Sequence, residues 1–337
     1  MKVFKSIFPL VASVLFSILM AETLAQAAPN DSQLFAFKFQ TNQPLVYAVL
    51  VKTKTTTDMN IGGKTSLQSQ TMVISYKVRM SYYKNYQDGT TGVYFKPYDL
   101  AEDTEMNGTA HLITQIRGLK IKTLQNNIVT IDTDNNVGMA QAGPIKLSIY
   151  PMLMSGYFNF DPTGRIVKFQ GDPPFIDYWT NVLSTQIGYF SIFLPNHPVG
   201  QQEAWTENAS VKYNNGIELD EPITITNTYT REPDLVTNGI TVATFDLTSG
   251  ELQQNISGYF ELNGQRSSLN ISQFNHNGFG TYHFDQKRGG LLDANATENG
   301  GFSVEMMAMG NTVNSQINME REFQINLIDD PVVSEKK

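Results

Sequence analysis

The sequence contains no cysteine, so its four histidines are the side chains that could take part in the most kinds of catalysis or metal binding. They are His111, His197, His276 and His283. A hydrolytic triad needs a histidine beside a nucleophile and an orienting acid. The chain has no G-x-S-x-G segment to supply a nucleophile elbow. His276 and His283 are seven residues apart, and an odd separation places side chains on opposite faces of a regular strand. We therefore interpret both as polar strand or turn residues, not as a shared metal site.

Aspartates offer the next candidate chemistry. Residues 132–138 begin like a calcium loop, but such a loop needs glycine at its sixth position and an acid at its twelfth. Val137 and Gly143 stand there, so the segment predicts an Asx-rich hairpin turn. Asp161 and Asp285 could form a catalytic carboxylate pair, yet each stands where a strand runs into a turn. No catalytic, cofactor-binding or metal-binding residue is predicted.

The first residues form a targeting signal. Lys2 and Lys5 precede an apolar stretch over residues 7–20, and a small-residue Ala-Gln-Ala motif ends at Ala27. These are the three parts of a secretory signal peptide, and the apolar stretch is shorter than the roughly 20 residues that span a bilayer. We expect cleavage between Ala27 and Ala28 and a periplasmic or extracellular location.

Composition narrows the partners and the chemistry. The formal net charge is −8 and the pI about 5.1, with no basic patch, which excludes nucleic acid as an expected partner. No later apolar run is long enough to predict a transmembrane span. The absence of cysteine removes thiolate nucleophiles and cysteine-based zinc sites, and in an exported chain it favours a bacterial envelope.

Alternating apolar and polar residues predict an all-β, mainly antiparallel protein. Residues 34–39, 45–54 and 73–80 are expected strands. Hairpins are predicted at Asp88-Gly89, Asn238-Gly239 and Asn263-Gly264, because both central residues of a type I′ turn need positive φ. Weaker turn signals stand at residues 214–216 and 125–127.

One segment departs from this pattern. Between Pro173 and Leu194 the apolar residues recur every three or four positions, as on one face of a helix. Prolines before and after the segment favour the same boundaries. We predict one amphipathic helix over about residues 175–190, which would be a cap on the sheet, a mobile lid or a partner-binding helix.

Two halves of the chain share hairpin patterns on either side of this helix. Each half also contains a strand that ends in Phe-Asp, a turn and a second strand, at residues 157–167 and 282–292. The expected organisation is a signal peptide at 1–27, a first curved β-lobe at 28–172, a helix and linker at 173–200, a related second β-lobe at 201–328 and a polar tail at 329–337.

Four segments that span most of the mature chain allow a comparison with known families. They read LFAFKF at 34–39, FNFDPTGRIV at 158–167, LPNHPVG at 194–200 leading to Trp205, and FDQKRGGLL at 284–292. With them the chain resembles a family of exported bacterial proteins of unknown function. Its linker usually reads closer to Pro-Val-x-x-Gly-Asp-x-Trp, from which PVGQQEAW at 198–205 departs. The resemblance implies β-lobes and export and brings no catalytic residues.

Three functions are compatible with these features. The first is a non-catalytic envelope module that binds a partner, with a variant in which sheet and helix carry a lipid or other apolar ligand. The second is a secreted hydrolase that uses loop carboxylates or His283. The third is an outer-membrane barrel. It is disfavoured because residues 329–337 form a polar tail and do not have the pattern of a barrel strand. We expect the first, without a cofactor.

Overall fold

The structure is a computed structural model that describes residues 32–41, 43–108, 110–117, 120–139, 155–170, 192–214, 217–237, 239–262, 265–308 and 311–328. Its regular elements in these residues are β-strands, which confirms the predicted all-β class. The predicted helix at 175–190 lies outside the described residues. The strands are β1 Leu45–Ile61, β2 Lys64–Asn85, β3 Thr91–Met106, β4 Ala110–Arg117, β5 Lys120–Gln125, β6 Ile128–Asp132, β7 Gly156–Phe160, β8 Ile166–Gln170, β9 Ala204–Asn214, β10 Ile217–Thr237, β11 Ile240–Leu262, β12 Gln265–Asp285, β13 Gly290–Ala308 and β14 Asn311–Leu327.

All of these strands belong to one antiparallel sheet. Its order is β6-β5-β4-β3-β2-β1-β14-β13-β12-β11-β10-β9, and β7 with β8 branches from β3. The first and last strands pair in the middle of the sheet, from Tyr47 opposite Leu327 to Ile61 opposite Val313. The two expected lobes therefore correspond to the two flanks of one sheet, which meet along the β1–β14 pair.

The strands on either side of the predicted hairpins pair with each other, whereas the turn residues Asn238, Asn263, Gly264 and 215–216 lie outside the described residues. Of the turns that are described, one differs in type. At Asp88-Gly89 only Gly89 has positive φ, and the Asp88 carboxylate accepts hydrogen bonds from the backbone and hydroxyl of Thr90. Asn126 and Asn127, the weaker signal, both have positive φ, as a type I′ turn requires.

The β1–β2 hairpin is much longer than predicted. Its arms extend through a Thr-, Ser- and Gln-rich stretch to Ile61 and Lys64. Most of the β2 residues in this stretch are exposed or only partly buried. Because neither face of β2 is covered there, its sequence lacks the apolar alternation from which a strand is recognised.

One face of the sheet is buried and the other faces solvent. Along β14, alternate residues from Val313 to Ile325 are buried while those between them are exposed. The buried face carries two apolar clusters. The junction cluster joins both flanks and includes Phe35, Tyr47, Phe95, Phe158, Trp205, Phe245, Phe284 and Phe323. The distal cluster lies on β1 and β10 to β14 and includes Met59, Ile223, Ile271, Phe274, Phe302, Met306 and Ile317.

A polar belt separates the two clusters on the buried face. It runs in register across seven neighbouring strands, β1 and β14 to β9. Arg321 Nη1 donates to Glu298 Oε2 at 3.4 Å, and the Ser249 hydroxyl donates to Asn227 Oδ1 at 2.7 Å. The belt consists of Thr53, Arg321, Glu298, Gly278, Ser249, Asn227 and Glu207.

The predicted strand at residues 34–39 is not a strand. Its backbone bonds to two turns instead: Phe37 N donates to Pro162 O at 2.9 Å, and Lys38 N donates to Gly289 O at 2.8 Å. Phe35 packs edge-on against Phe245 at 5.1 Å between ring centres. The apolar alternation of this segment thus reflects burial between the two flanks, and its hydrogen bonds are satisfied without a neighbouring strand.

Candidate functional site

The residues with predicted or excluded roles do not converge. Ala27 and Ala28, the expected cleavage site, lie outside the described residues. His276 is buried on the inner face of β12, whereas His283 points from the outer face, as their odd separation predicts. Burial and the nearby Arg321 lower the pKa of His276 to about 4. No group of three or more potential metal-ligating side chains occurs in the described part of the chain.

His283 is part of the arrangement that comes nearest to a hydrolytic site. Its Nδ1 lies 2.7 Å from Asp293 Oδ1, and Thr244 stands opposite it on β11. The Thr244 hydroxyl is buried and has no hydrogen-bond partner. The histidine is therefore oriented by an acid, but the nucleophile-to-base hydrogen bond of a triad is not formed.

The three candidate aspartates all serve turns. Asp132 Oδ1 accepts from Asp134 N and Asn135 N, which confirms the Asx-rich turn. Asp161 Oδ1 accepts from Thr163 and Arg165, and Asp285 Oδ1 accepts from Lys287 N and Arg288 N. Backbone amides of each turn therefore donate to the carboxylate of its aspartate, and these hydrogen bonds stabilise the turn.

The outer face of the sheet contains a broad groove across β11, β12, β13 and β14, with a volume of about 510 Å³. Two in-register rows of side chains form its walls, and a row of Leu247, Gly280, Ala296 and Phe323 lies between them. Side chains of this middle row point to the inner face, as Phe323 does, so the floor of the groove is strand backbone. The walls are Asp246, Thr281, Asn295 and Gln324 on one side, and Thr248, Phe279, Thr297 and Glu322 on the other.

A second groove of about 260 Å³ continues the first along β12, β13 and β14 and is bounded by β1 where the first is bounded by β11. On β12 the wall residue passes from Phe279 to Asn277, and on β14 from Glu322 to Glu320, which are the next outward positions. We call the two together the outer-face grooves. The second is lined by Lys54, Thr56, Asn275, Asn277, Asn299, Gly300, Asn318, Met319 and Glu320.

Hydrogen bonds and ion pairs hold several wall residues in place. Thr281 Oγ1 donates to Asp246 Oδ1 at 2.7 Å. At the β1 end, Lys52 pairs with Glu322 at 3.1 Å and Lys54 with Glu320 at 3.2 Å. All four charged side chains of these pairs are about half exposed or more, so the pairs fix side-chain positions more than they stabilise the fold.

Phe279 differs from the other wall residues because it is aromatic, and it is 58 % exposed. Gly278 and Gly280 flank it, and an added Cβ on Gly280 would stand 2.8 Å from the Ala296 side chain. The sequence alone predicts no role for these glycines. The visible signal was a phenylalanine at an outward position between small residues, in a strand otherwise polar on that face.

Comparison with known proteins does not assign the chain. No family model and no curated protein matches it. Solved structures with some similarity include a mutant of the Rh. blastica porin, at 9 % identity and a TM-score of 0.22 over 82 % of this chain and 100 % of that one. Pseudomonas aeruginosa OpdQ is similar at 7 % identity and a TM-score of 0.21 over 82 % and 98 %. Scores this low establish neither a shared fold nor a shared function.

Within the described residues, no helix has the length and apolar character needed to cross a bilayer.

Proposed function

We propose that this protein is an exported, non-catalytic binding module of a bacterial cell envelope, and that it binds through the outer-face grooves. The observation that carries the proposal is the first groove, with Phe279 exposed among hydroxyl, amide and carboxylate side chains. Ligand sites are typically concavities of roughly 300–1,000 Å³. The groove has this size, and its lining is more polar than that of most such sites.

The position of the grooves supports binding by a rigid surface. They lie on the central strands of the sheet, and both neighbours of each groove strand from β12 to β14 are paired. Side chains on such strands are held more precisely than side chains on loops. A ligand would therefore bind a preformed surface, and little free energy would be lost in ordering the side chains of that surface.

The inner face favours this surface over the carrier alternative. Side chains of both apolar clusters are buried by one another, with Phe245, Ile271 and Phe274 each 0 % exposed. Interiors packed in this way leave little room for a further apolar molecule. The grooves on the outer face, by contrast, are lined mainly by polar groups.

The hydrolase alternative has less support from the geometry. The His283–Asp293 pair lacks a hydrogen-bonded nucleophile, and the loop carboxylates of Asp161 and Asp285 bond to their own turns. Catalysis would require one of these groups to be released from a structural contact.

Co-sedimentation of the purified protein, without its predicted leader, with washed bacterial envelope fragments tests the proposal. We expect the unaltered protein to pellet with the fragments and Phe279→Ala to pellet at least about five-fold less, a loss of roughly 1 kcal/mol. Leu67→Ala is the control, because Leu67 is 71 % exposed on β2 and lies outside the grooves. Equal pelleting of Phe279→Ala and the unaltered protein would refute a role for this face.

A further inference from the structure

We propose that the ligand of the outer-face grooves is a neutral saccharide chain. This inference rests on the proposed binding role and names the chemical class of the ligand. Four arguments support it: the chemistry of the walls, the exposed aromatic ring, the charge and the length of the surface.

The walls match a ligand that is rich in hydroxyl groups. Asn and Gln amides each offer two donor hydrogens and an acceptor oxygen, and Thr hydroxyls both donate and accept. Sugar hydroxyls have the same double capacity, so every wall group can find a partner without matched charges. The amide and hydroxyl residues are Thr248, Thr281, Asn295, Thr297 and Gln324 in the first groove, and Thr56, Asn275, Asn277, Asn299 and Asn318 in the second.

Phe279 supplies an apolar platform within this polar surface. Its ring is 58 % exposed and stands in a row with Thr248, Thr297 and Glu322. An aromatic face is negatively polarised, and one face of a sugar ring presents C–H groups that are weakly positive. A sugar ring stacked on Phe279 would bury both apolar surfaces while its hydroxyls reach the walls.

The charge of the grooves selects against acidic ligands. Three carboxylates line them, those of Asp246, Glu320 and Glu322. Lys52 and Lys54 are already paired with two of these. Like charges that face each other oppose binding, so polyanions such as nucleic acids and acidic polysaccharides are disfavoured.

The length of the surface indicates a chain of sugars. From Thr281 to Asn275 the groove walls on β12 cover seven residues, or six steps along the strand, which is about 20 Å at roughly 3.4 Å per step. A single sugar ring would leave the second groove empty. A protein partner fits less well, because protein interfaces are depleted of charge at their centre and enriched in several aromatic residues.

Isothermal titration of the purified protein tests the ligand class. The probes are the β-1,4-linked tetramer and dimer of N-acetylglucosamine, cellotetraose, and a tetramer of galacturonic acid as the acidic counterpart. We expect at least one neutral tetramer to bind, with the dimer about ten-fold weaker and the acidic tetramer not bound. Phe279→Ala should weaken the tetramer at least ten-fold.

Two further variants separate ligand contacts from damage to the fold. Tyr259→Ala is the matched control, because Tyr259 is an outward aromatic on β11 that lies outside the grooves beneath Arg266; its binding should be unchanged. Asn277→Ala in the second groove should weaken the tetramer and leave the dimer unaffected. Each variant is checked for an unaltered melting temperature.

The outcomes distinguish the two proposals. If no neutral saccharide binds, or if only the acidic tetramer binds, the saccharide inference is wrong. Should envelope binding still depend on Phe279 in that case, the binding role of this face survives without it. Saccharide binding that Phe279→Ala leaves intact would also overturn the inference, because the ligand would then lie elsewhere.

Discussion

Two turns with the same sequence pattern, one in each flank of the sheet, hold the same N-terminal segment in different ways. In the first turn Pro162 O accepts Phe37 N, and in the second Gly289 O accepts Lys38 N. Each turn contains a positive-φ glycine packed against that segment, Gly164 against the Phe37 ring and Gly289 against Lys38. Consecutive residues of one segment therefore bond to one turn in each flank, although the acceptors differ in position: Pro162 directly follows Asp161, whereas Gly289 stands four residues after Asp285.

The turns differ in length and in their further contacts. Gly164 N donates to Asp161 O, three positions before it, whereas Gly289 N donates to Asp285 O, four positions before it. Thr163 O of the first turn also accepts Leu194 N. In the second turn Gln286 O accepts from Lys38 Nζ at 3.3 Å and Gln286 Nε2 donates to Asp234 Oδ2 at 3.4 Å. A similar sequence pattern thus produces turns of different geometry, and the cost of changing each depends on what packs against it.

The largest expected effect is that of Gly164→Ala. Its φ is +92°, and a Cβ would stand 2.5 Å from the Phe37 ring. We expect a loss of about 4 kcal/mol in the free energy of unfolding, from backbone strain plus overpacking. Urea unfolding measures it. Gly239→Ala is the control for backbone strain alone, since Gly239 has φ +75° and open space around it. Equal losses in the two variants would contradict a role for Phe37.

Acid should destabilise the inner face at His276, which lies near Arg321 of the polar belt. It should leave unchanged the difference in stability cost between variants of the two turns. The folded protein lowers the pKa of His276 from 6.5 to about 4. The contribution of His276 is therefore complete above pH 6.5 and is lost as the pH falls to about 4, by roughly 3 kcal/mol at most.

Glu298 opposes part of this change. Burial raises its pKa above 4.5 despite Arg321, so its contribution is complete below pH 4.5 and is lost as the pH rises through the raised value. Thermal unfolding from pH 7 to pH 4 should therefore show falling stability in the unaltered protein and a flatter profile in His276→Gln. The penalty of Gly164→Ala should stay constant. A profile that His276→Gln leaves unaltered would exclude this histidine as the cause.

Gly289→Ala should cost about 3 kcal/mol, somewhat less than Gly164→Ala. Its φ of +69° lies in the left-handed region that other residues can adopt, but a Cβ would stand 2.4 Å from Lys38 Cβ and 2.8 Å from the backbone nitrogen of Lys38. The same urea series gives the value. A loss larger than that of Gly164→Ala would reverse the ranking of the two turns.

The smallest expected difference is between the two turn aspartates. Asp161 accepts from two backbone amides and the Thr163 hydroxyl, whereas Asp285 accepts from two amides only. We expect Asp161→Ala to cost about 1.5 kcal/mol and Asp285→Ala about 1 kcal/mol. Thr163→Val should reduce the difference, because it removes the additional donor. Identical costs with Thr163 intact would show that the hydroxyl bond adds nothing.

Local chemistry explains which parts of this fold could be predicted. The Phe-Asp turns and the hairpin at Asp88-Gly89 form because an Asp side chain and a following glycine determine the path of a few residues. The failure at residues 34–39 has the opposite origin. Their alternation is that of a strand, yet the partners of Phe37 N and Lys38 N are carbonyls 125 and 251 positions further along the chain.

The grooves could not be predicted for the same reason. Their walls form only when β11, β12, β13 and β14 are aligned, so that Thr248, Phe279, Thr297 and Glu322 share a row. A shift of one residue in any strand would turn its wall residues to the other face. The sequence indicates the outward residues of each strand but not the alignment among strands.

The pairing of β1 with β14 has a consequence for how the protein is made. Tyr47 can pair with Leu327 only after nearly the whole chain has been made. The entropy of closing so long a loop must be overcome before their contacts form. The N-terminal part of a chain is synthesised first, so β1 exists for a time with one edge unpaired along its length. Such an edge invites pairing with other chains. Newly made molecules are therefore most prone to aggregate before the last strand arrives, and a holding chaperone would protect them most during that interval.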